Sequence, residues 1–440
     1  MGIQSKRVRL PNSRMQRVAM LAAVAPTLWA NPPGVTFARD VAPIIYRHCA
    51  QCHHTGSVAP FPLITYEDVA KRAQLVATVT ASRYMPPWLP SAPHLQNERR
   101  LSEAEIATLR RWEASGAPQG DPAQAPHAPE FSSAWPMGPP DLEAEMRGPF
   151  PVPADGPDLY QCFVIPVPTA PERYVKAIDI RPGNARVVHH ALLFQDITRE
   201  ARRRDTGEGY PCFGTPGFLP ARGLGGWTPG KQPVAAPPGL AETLYPGADL
   251  VLQVHYHPTG KLESDRTRVA LYFGPDKPRR HLVDVGLESK RIDIPPGVAN
   301  YRVSDHFTFP VAVDVIGVIP HAHYICKDMR GYAVLPDGVR RVLIHIPDWN
   351  FKWQEQYRYS APIRLPAGTR VEMQFTYDNS DANPRNPSHP PKRVLYGPAT
   401  TDEMAGLHLE VVPARDADAE ELNQALWGKM MRMLGGGVYR

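Results

Sequence analysis

The spacing of apolar positions changes character twice along the chain. In "FARDVAPIIYRHCAQCHH", "TYEDVAKRAQLVATVTASRY" and "LSEAEIATLRRWEASG" apolar residues recur at three- and four-residue intervals, the period of an amphipathic helix. The third segment carries Ser102 as N-cap, Glu105 as its capping-box partner and Gly116 as the stop. Three helices before residue 120 predict a compact all-α unit. Over residues 117–150 the periodicity lapses into Pro, Ala and Gly, the composition of a linker with polyproline character. From residue 160 the pattern becomes that of short strands, in "YVKAIDI", "VVHHALLF", "DLVLQVHYH", "RVALYF", "VDVIGVI", "YAVLP", "RVEMQFTYD" and "GLHLEVV", each bounded by Pro or Gly. Many short strands with turn signals predict sandwiches, and this length divides better into two than one, with the break near "GPDKPRRH". The tail "AEELNQALWGKMMRML" returns to a helical period and predicts a terminal packing helix.

Length and composition sharpen this picture. At ~150 residues per domain, 440 residues predict two or three domains. The 51 prolines argue against long helices and for strands joined by rigid turns. A formal charge of +5, much of it within the first twenty residues, gives no basic footprint for nucleic acid. Those residues (Lys6, Arg7, Arg9, Arg14, Arg17) precede the apolar run "VAMLAAVAPTL" and the small Ala30, which is the layout of a cleavable secretory signal. The run is shorter than the ~20 residues a bilayer span needs, and an uncleaved tether is the competing reading. The predicted organisation is multidomain: a signal over 1–30, a helical unit over 31–120, a linker over 121–150, β-sandwiches over 151–278 and 279–415, and a helical tail over 416–440. Periplasmic or secreted localisation follows.

"YRHCAQCHHTG" places Cys49, Cys52 and His53 in Cys-x-x-Cys-His. Two thiols at that spacing can form thioethers to haem vinyl groups while the next residue ligates iron; in a cytosolic protein the same pair would read as a redox or zinc site. The export signal favours haem, which is attached outside the bacterial cytoplasm. In "SRYMPPW" Met85 follows His53 by about thirty residues, on an extended segment where a thioether can serve as the second axial ligand. An ordinary packed side chain is the alternative. With this motif, methionine and helix order, the first hundred or so residues resemble the small cytochrome c domains.

Three histidine clusters stand in the β-region: His189 and His190, His255 and His257, and His321 and His323. Residues two apart in a strand share a face, so His321 and His323 can present both imidazoles to one ion. Adjacent His189 and His190 point to opposite faces unless a strand end or bulge intervenes. One such histidine would be an ordinary hydrogen-bonded residue, but three clusters in one exported β-region favour metal.

"VVHHALLF", "LVLQVHY", "HAHY" and "TTDEMAGLHL" occur in the order and rough spacing of the copper type II, ascorbate-dependent monooxygenases, the family of peptidylglycine α-hydroxylating monooxygenase and dopamine β-monooxygenase. The resemblance covers roughly residues 155–412 and implies two jelly-roll-like sandwiches. It implies that His189, His190 and His255 form an electron-transfer copper site and that His321, His323 and Met404 form the oxygen-activating one. His257 fits the pattern less well and is left as a neighbour of the first site. A thioether is soft and favours Cu(I), whereas zinc more often takes carboxylate or thiolate with histidine. Met329, six residues past His323, competes with Met404, and the tail methionines offer a further copper contact. The resemblance also implies a disulfide between Cys162 and Cys212, leaving Cys326 as a buried thiol. The expected cofactors are two copper ions and one covalent haem c. The expected partners are O2, a small organic substrate and an external electron donor. A non-catalytic haem/copper electron-transfer or copper-binding protein is the alternative; a haem peroxidase would need an open iron position, which Met85 opposes.

Overall fold

The structure is a computed structural model describing Gly2 and residues 34–435, except 58, 92–93, 132–134, 168–170, 219–221, 275–276, 279 and 281. Gly2 apart, the expected signal segment 1–30 lies outside the described residues. Among those residues, no helix is long and apolar enough to cross a membrane.

The chain is mostly β-sheet, with helices gathered at its two ends apart from the short Glu200–Arg204. A π-helical turn Phe37–Val41 leads into the helix Ala42–His48; Tyr66–Ala70, Ala73–Ala81 and Glu103–Ala114 follow. Val41, Ile45, Leu109 and Trp112 are buried together among these helices. Ser102 and Glu105 cap Glu103–Ala114 reciprocally, as their spacing predicts. The single helix expected over 65–84 is two. Arg72 leaves the helical conformation between them, its guanidinium 4.2 Å from the centre of the Phe61 ring and bonded to the Asp68 carbonyl. A tertiary contact outweighs the local period there.

Two sandwiches follow. The first pairs a four-stranded antiparallel sheet, in spatial order Leu142–Glu145, Arg268–Phe273, Arg173–Arg181 and Glu242–Leu244, with a five-stranded sheet: Tyr210–Pro211, Leu159–Ile165, Asp249–Tyr256, Val188–Asp196, Arg222–Trp227. Ile180, Val269 and Leu271 from one sheet meet Leu193, Leu252 and Val254 from the other in one core. Asp249–Tyr256 is buried at every residue, because its even positions face that core while Val251 packs on the opposite side of the sheet. The second sandwich sets Val283–Glu288, Gly406–Pro413, Val313–His321 and Tyr357–Leu365 against Tyr301–Thr308, Arg370–Tyr377, Cys326–Val334 and Arg340–Ile346. No strand falls between Phe273 and Val283 among the described residues, where the break was expected.

The expected linker 121–150 is not linker throughout. Leu142–Glu145 pairs with Arg268–Phe273, and Trp135 packs with Ala177, Ala270 and Tyr272, so the first sandwich begins before residue 151. Four alternating residues between Pro/Gly stretches are too few to signal a strand; the partner strand supplies the order.

The Pro-rich stretch after Met85 docks on the second sandwich. Ser91 N–H donates to the His345 carbonyl (2.8 Å), Gln96 N–H to that of Arg358 (2.7 Å), and Trp88 meets Tyr357 edge-on. Arg99 forms a two-pronged ion pair with Glu355 (3.1 and 2.6 Å). The tail helix Ala419–Gly435 buries Leu422 in the second core and leaves Trp427 and Met431 exposed, as a packing helix does.

Cys162 and Cys212 form a disulfide closing a loop of 50 residues. Cys326 is a buried thiol whose pKa burial pushes well up. Cross-linking such a loop restricts the unfolded chain by about 4 kcal/mol. Cys162→Ala/Cys212→Ala is therefore expected to lose about that much unfolding free energy in urea titration, and a loss below about 1 kcal/mol would contradict the loop-closure account.

Candidate metal centres

His189 and His190 reach one side of their strand because the register slips between Val188 and His190 where it pairs with Asp249–Tyr256. That bulge inserts His189 as an extra residue, the condition the sequence imposed. Opposite His190 in the ladder stands His255, fully buried. The Nδ1 atom of His190 lies 3.3 Å from that of His189 and 3.3 Å from that of His255. Two nitrogens bound about 2.0–2.1 Å from one ion at a tetrahedral angle stand about 3.3 Å apart. The three imidazoles form a cluster able to hold a metal.

His255 is oriented from behind. Its Nε2 lies 2.9 Å from Asp158 Oδ2, whose other oxygen is 2.7 Å from His257 Nδ1. An ionised carboxylate only accepts, so Nε2 of His255 carries the proton and Nδ1 keeps its lone pair for the cluster. Burial would raise the Asp158 carboxyl, but the two imidazoles outweigh it and hold it at about 2. Burial, reinforced by His255, pushes His189 down to about 3 and His190 well below the usual imidazole range. These rings are neutral at pH 7, the form that donates to metal.

His321 ends its strand and His323 lies just beyond it, rather than within a strand as expected. Buried Ala322 between them points into the core, which keeps the imidazoles on one side with centroids 5.3 Å apart. Nδ1 of His321 donates to Gln354 Oε1 (2.6 Å) and Nδ1 of His323 to the Asp402 carbonyl (3.1 Å), leaving both Nε2 atoms as the free donors. Burial and neighbouring His321 push His323 down to about 3.

Glu403 ties Met404 to this pair. One of its oxygens accepts from the backbone N–H of His323 (2.8 Å) and of Met404 (3.1 Å), the other from that of Ile325 (2.8 Å). Burial pushes this carboxyl up to about 8, against the pull of those N–H donors. The competing Met329 is buried in the second core. Glu403→Ala would orphan the buried N–H groups of His323 and Ile325 and the half-buried one of Met404, and is expected to cost about 3 kcal/mol or more in a denaturation measurement. A cost below about 1 kcal/mol would mean that the turn holds itself.

One ring links the two sets. Phe351 stacks on His189, centroids 4.7 Å apart, and meets His323 edge-on at 5.5 Å.

Cys49, Cys52, His53 and Met85 line one cavity of about 1230 Å³ between the helical unit and both sandwiches. That exceeds the ~300–1,000 Å³ of ordinary small-ligand pockets. His53 Nδ1 donates to the Phe61 carbonyl (3.0 Å), which leaves Nε2 free. Burial pushes the Cys49 thiol up to about 12, helped by Cys52. Trp353 and Arg358 also line the cavity, and Trp353 Nε1 and Arg358 Nη1 are buried with no hydrogen-bond partner. Buried donors of this kind fit a bound group carrying acceptors.

The structure thus brings His189, His190 and His255 together, sets His321 beside His323 with the Met404 backbone tied to His323 through Glu403, and puts Cys49, Cys52, His53 and Met85 on one cavity; it adds Asp158, Phe351, Gln354 and Glu403, which sequence reading missed. Of these only Glu403, inside "TTDEM", lay within a quoted motif.

No protein-family model matches the chain, and no curated protein does. Among solved structures, the major capsid protein P2 from bacteriophage PM2 aligns at a TM-score of 0.26 with 7% identity, over 62% of this chain and 97% of that one. The infectious bursal disease virus VP2 subviral particle aligns at 0.20 with 9% identity, over 66% and 76%. Likeness at that level says nothing about fold or function.

Proposed function

We propose that the chain is an exported copper-dependent monooxygenase that hydroxylates a C–H bond of a small organic substrate, and that it carries its own c-type haem as an electron relay. On this reading the helical unit is a cytochrome c domain and the sandwiches are the two jelly-roll-like domains of the ascorbate-dependent copper monooxygenases. The observation that carries it is the cluster of His189, His190 and His255, whose ligand atoms lie within 4.8 Å of one another with His190 Nδ1 3.3 Å from the Nδ1 of each neighbour, one phenyl ring away from a second histidine pair. His189, His190 and His255 would hold one copper, and His321 and His323 with Met404 the other. Three imidazoles tolerate both copper oxidation states, whereas a thioether favours Cu(I).

The reaction consumes R–H, O2, two electrons and two protons and yields R–OH and water. When bound, copper supplies the one-electron chemistry with O2. The chain supplies orientation: Asp158 and Gln354 fix which imidazole nitrogen faces each metal, and Glu403 holds His323 and Met404 in place. For the haem, Cys49 and Cys52 would provide the thioethers, and His53 and Met85 are the residues that would hold its iron. The unbonded Trp353 Nε1 and Arg358 Nη1 atoms suit its carboxylates, the other Arg358 nitrogen, Nη2, being paired with Glu410 (3.6 Å). The disulfide accords with an oxidising compartment.

The test is metal and haem analysis of the exported protein, followed by O2 consumption across a substrate panel with a reduced cytochrome as donor. Two coppers, one covalent haem and substrate-dependent O2 uptake are expected. Two coppers and haem without uptake for any substrate would favour the electron-transfer alternative. One metal, or zinc at both sites after copper loading, would end the monooxygenase reading.

A further inference from the structure

A single six-residue loop, Phe351–Gln356, touches all three sites. Its Trp353, Glu355 and Gln356 line the large cavity, Gln354 accepts the hydrogen bond of His321, and Phe351 packs on His189. The loop is built rather than slack: Asn350 Oδ1 accepts from the Lys352 N–H (3.1 Å) and the Asn350 carbonyl from the Trp353 N–H (2.9 Å). Just before it, Trp349 Nε1 donates to the His323 carbonyl (3.1 Å).

The cavity end of the loop lines the same cavity as Cys52. Arg99, on the same wall, is clasped there by Glu355 (3.1 and 2.6 Å). From Glu355 one peptide link reaches Gln354, and a 2.6 Å hydrogen bond leads from its side chain to His321. Four residues along from Glu355, Phe351 lies flat against His189, with 17° between the ring planes.

Resting on the function proposed above, we infer that this loop is the junction through which an electron leaving the thioether edge of the haem reaches both histidine centres, through Gln354 to His321 and through Phe351 to His189. Each transfer oxidises ferrous haem to ferric and reduces one Cu(II) to Cu(I); no bond forms or breaks. Tunnelling decays less steeply through covalent and hydrogen bonds than across gaps, and the loop offers such a route from the cavity to each centre. Each centre thus has its own route from the cavity, and Phe351, which also meets His323 edge-on, additionally joins the two centres.

The experiment reduces the haem in a pulse, in oxidised protein carrying haem and copper under nitrogen, and follows its re-oxidation by absorbance. In His190→Ala, where copper sits only at His321/His323, Gln354→Leu should slow re-oxidation about tenfold and Gln354→Glu, which keeps an acceptor for His321, should restore it. In His323→Ala, where copper sits only at the triad, Phe351→Leu should slow it by a similar factor. Arg99→Met, which touches no copper ligand, should slow both and carries the test if Gln354→Leu costs copper. Copper and haem contents are measured for every variant. Unchanged rates in the Arg99 and Phe351 variants overturn the junction while leaving the function standing. No electron loss from the haem with both centres loaded overturns the relay itself.

Discussion

His190→Ala should bind one equivalent of Cu(II) per chain where the parent binds two. His190 is the middle member of its cluster, since its Nδ1 is the atom within 3.3 Å of both other Nδ1 atoms. Without it His189 and His255 remain, each fixed by its own packing: His189 against Phe351, and His255 between Asp158 and the Tyr160 ring stacked on it at 4.1 Å. Two ligands whose positions are already set cannot close around the ion to replace a third. The fold should survive, because alanine at this bulge leaves the flanking ladder intact and removes a ring whose burial already disfavours charge. A metal bound only by the native state stabilises it by about 4 kcal/mol at a thousandfold excess over Kd. The parent should therefore show a copper-dependent rise in Tm of which the variant lacks the triad's part. Metal analysis and the cupric EPR spectrum after loading and desalting decide it: two coppers retained with two unchanged signals would mean that these imidazoles do not form a site.

The features legible in the sequence are those fixed by neighbours in the chain. Ser102 and Glu105 cap their helix through contacts three residues apart, and Asp249–Tyr256 announces a strand by its run of β-forming residues. The histidine motifs were legible for the same reason: His189 with His190, and His321 with His323, are local pairs. The groups that orient them were not. Asp158 meets His255 across 97 residues, Gln354 meets His321 across 33, and Glu403 meets His323 across 80. No periodicity encodes such contacts, because the fold creates them after the strands have paired. The strand Leu142–Glu145 was missed on the same grounds, its order being borrowed from Arg268–Phe273. The bulge at His189 lies between these cases. The sequence stated the condition that two adjacent histidines must meet, and the register slip against Asp249–Tyr256 fulfils it.

Cys49→Ala/Cys52→Ala is expected to abolish covalent haem, and with it much of the rigidity of the seam between the helical unit and the sandwiches. In the parent, thioether bonds should keep the chromophore with the denatured chain, so acid-acetone should extract none of it. In the double variant any haem present should be extractable. Met85→Ala should retain covalent haem but lose the spectral signature of sulfur ligation, because His53, held by Phe61, still supplies the other axial nitrogen. The mechanical consequence follows from the cavity. About 1230 Å³ bounded by Leu63, Val76, Trp88 and Tyr357 among others is far more space than the packed interior tolerates empty. With no macrocycle fixed in it, contact across the seam falls to the segment following Met85 and the Arg99–Glu355 pair. The double variant should then be cut by protease between residues 86 and 100 while the sandwiches stay resistant, since local opening and not global stability governs such cleavage. Haem extracted from the parent by acid-acetone would refute covalent attachment. Equal protease resistance in the two proteins would show that the seam holds without the group it surrounds.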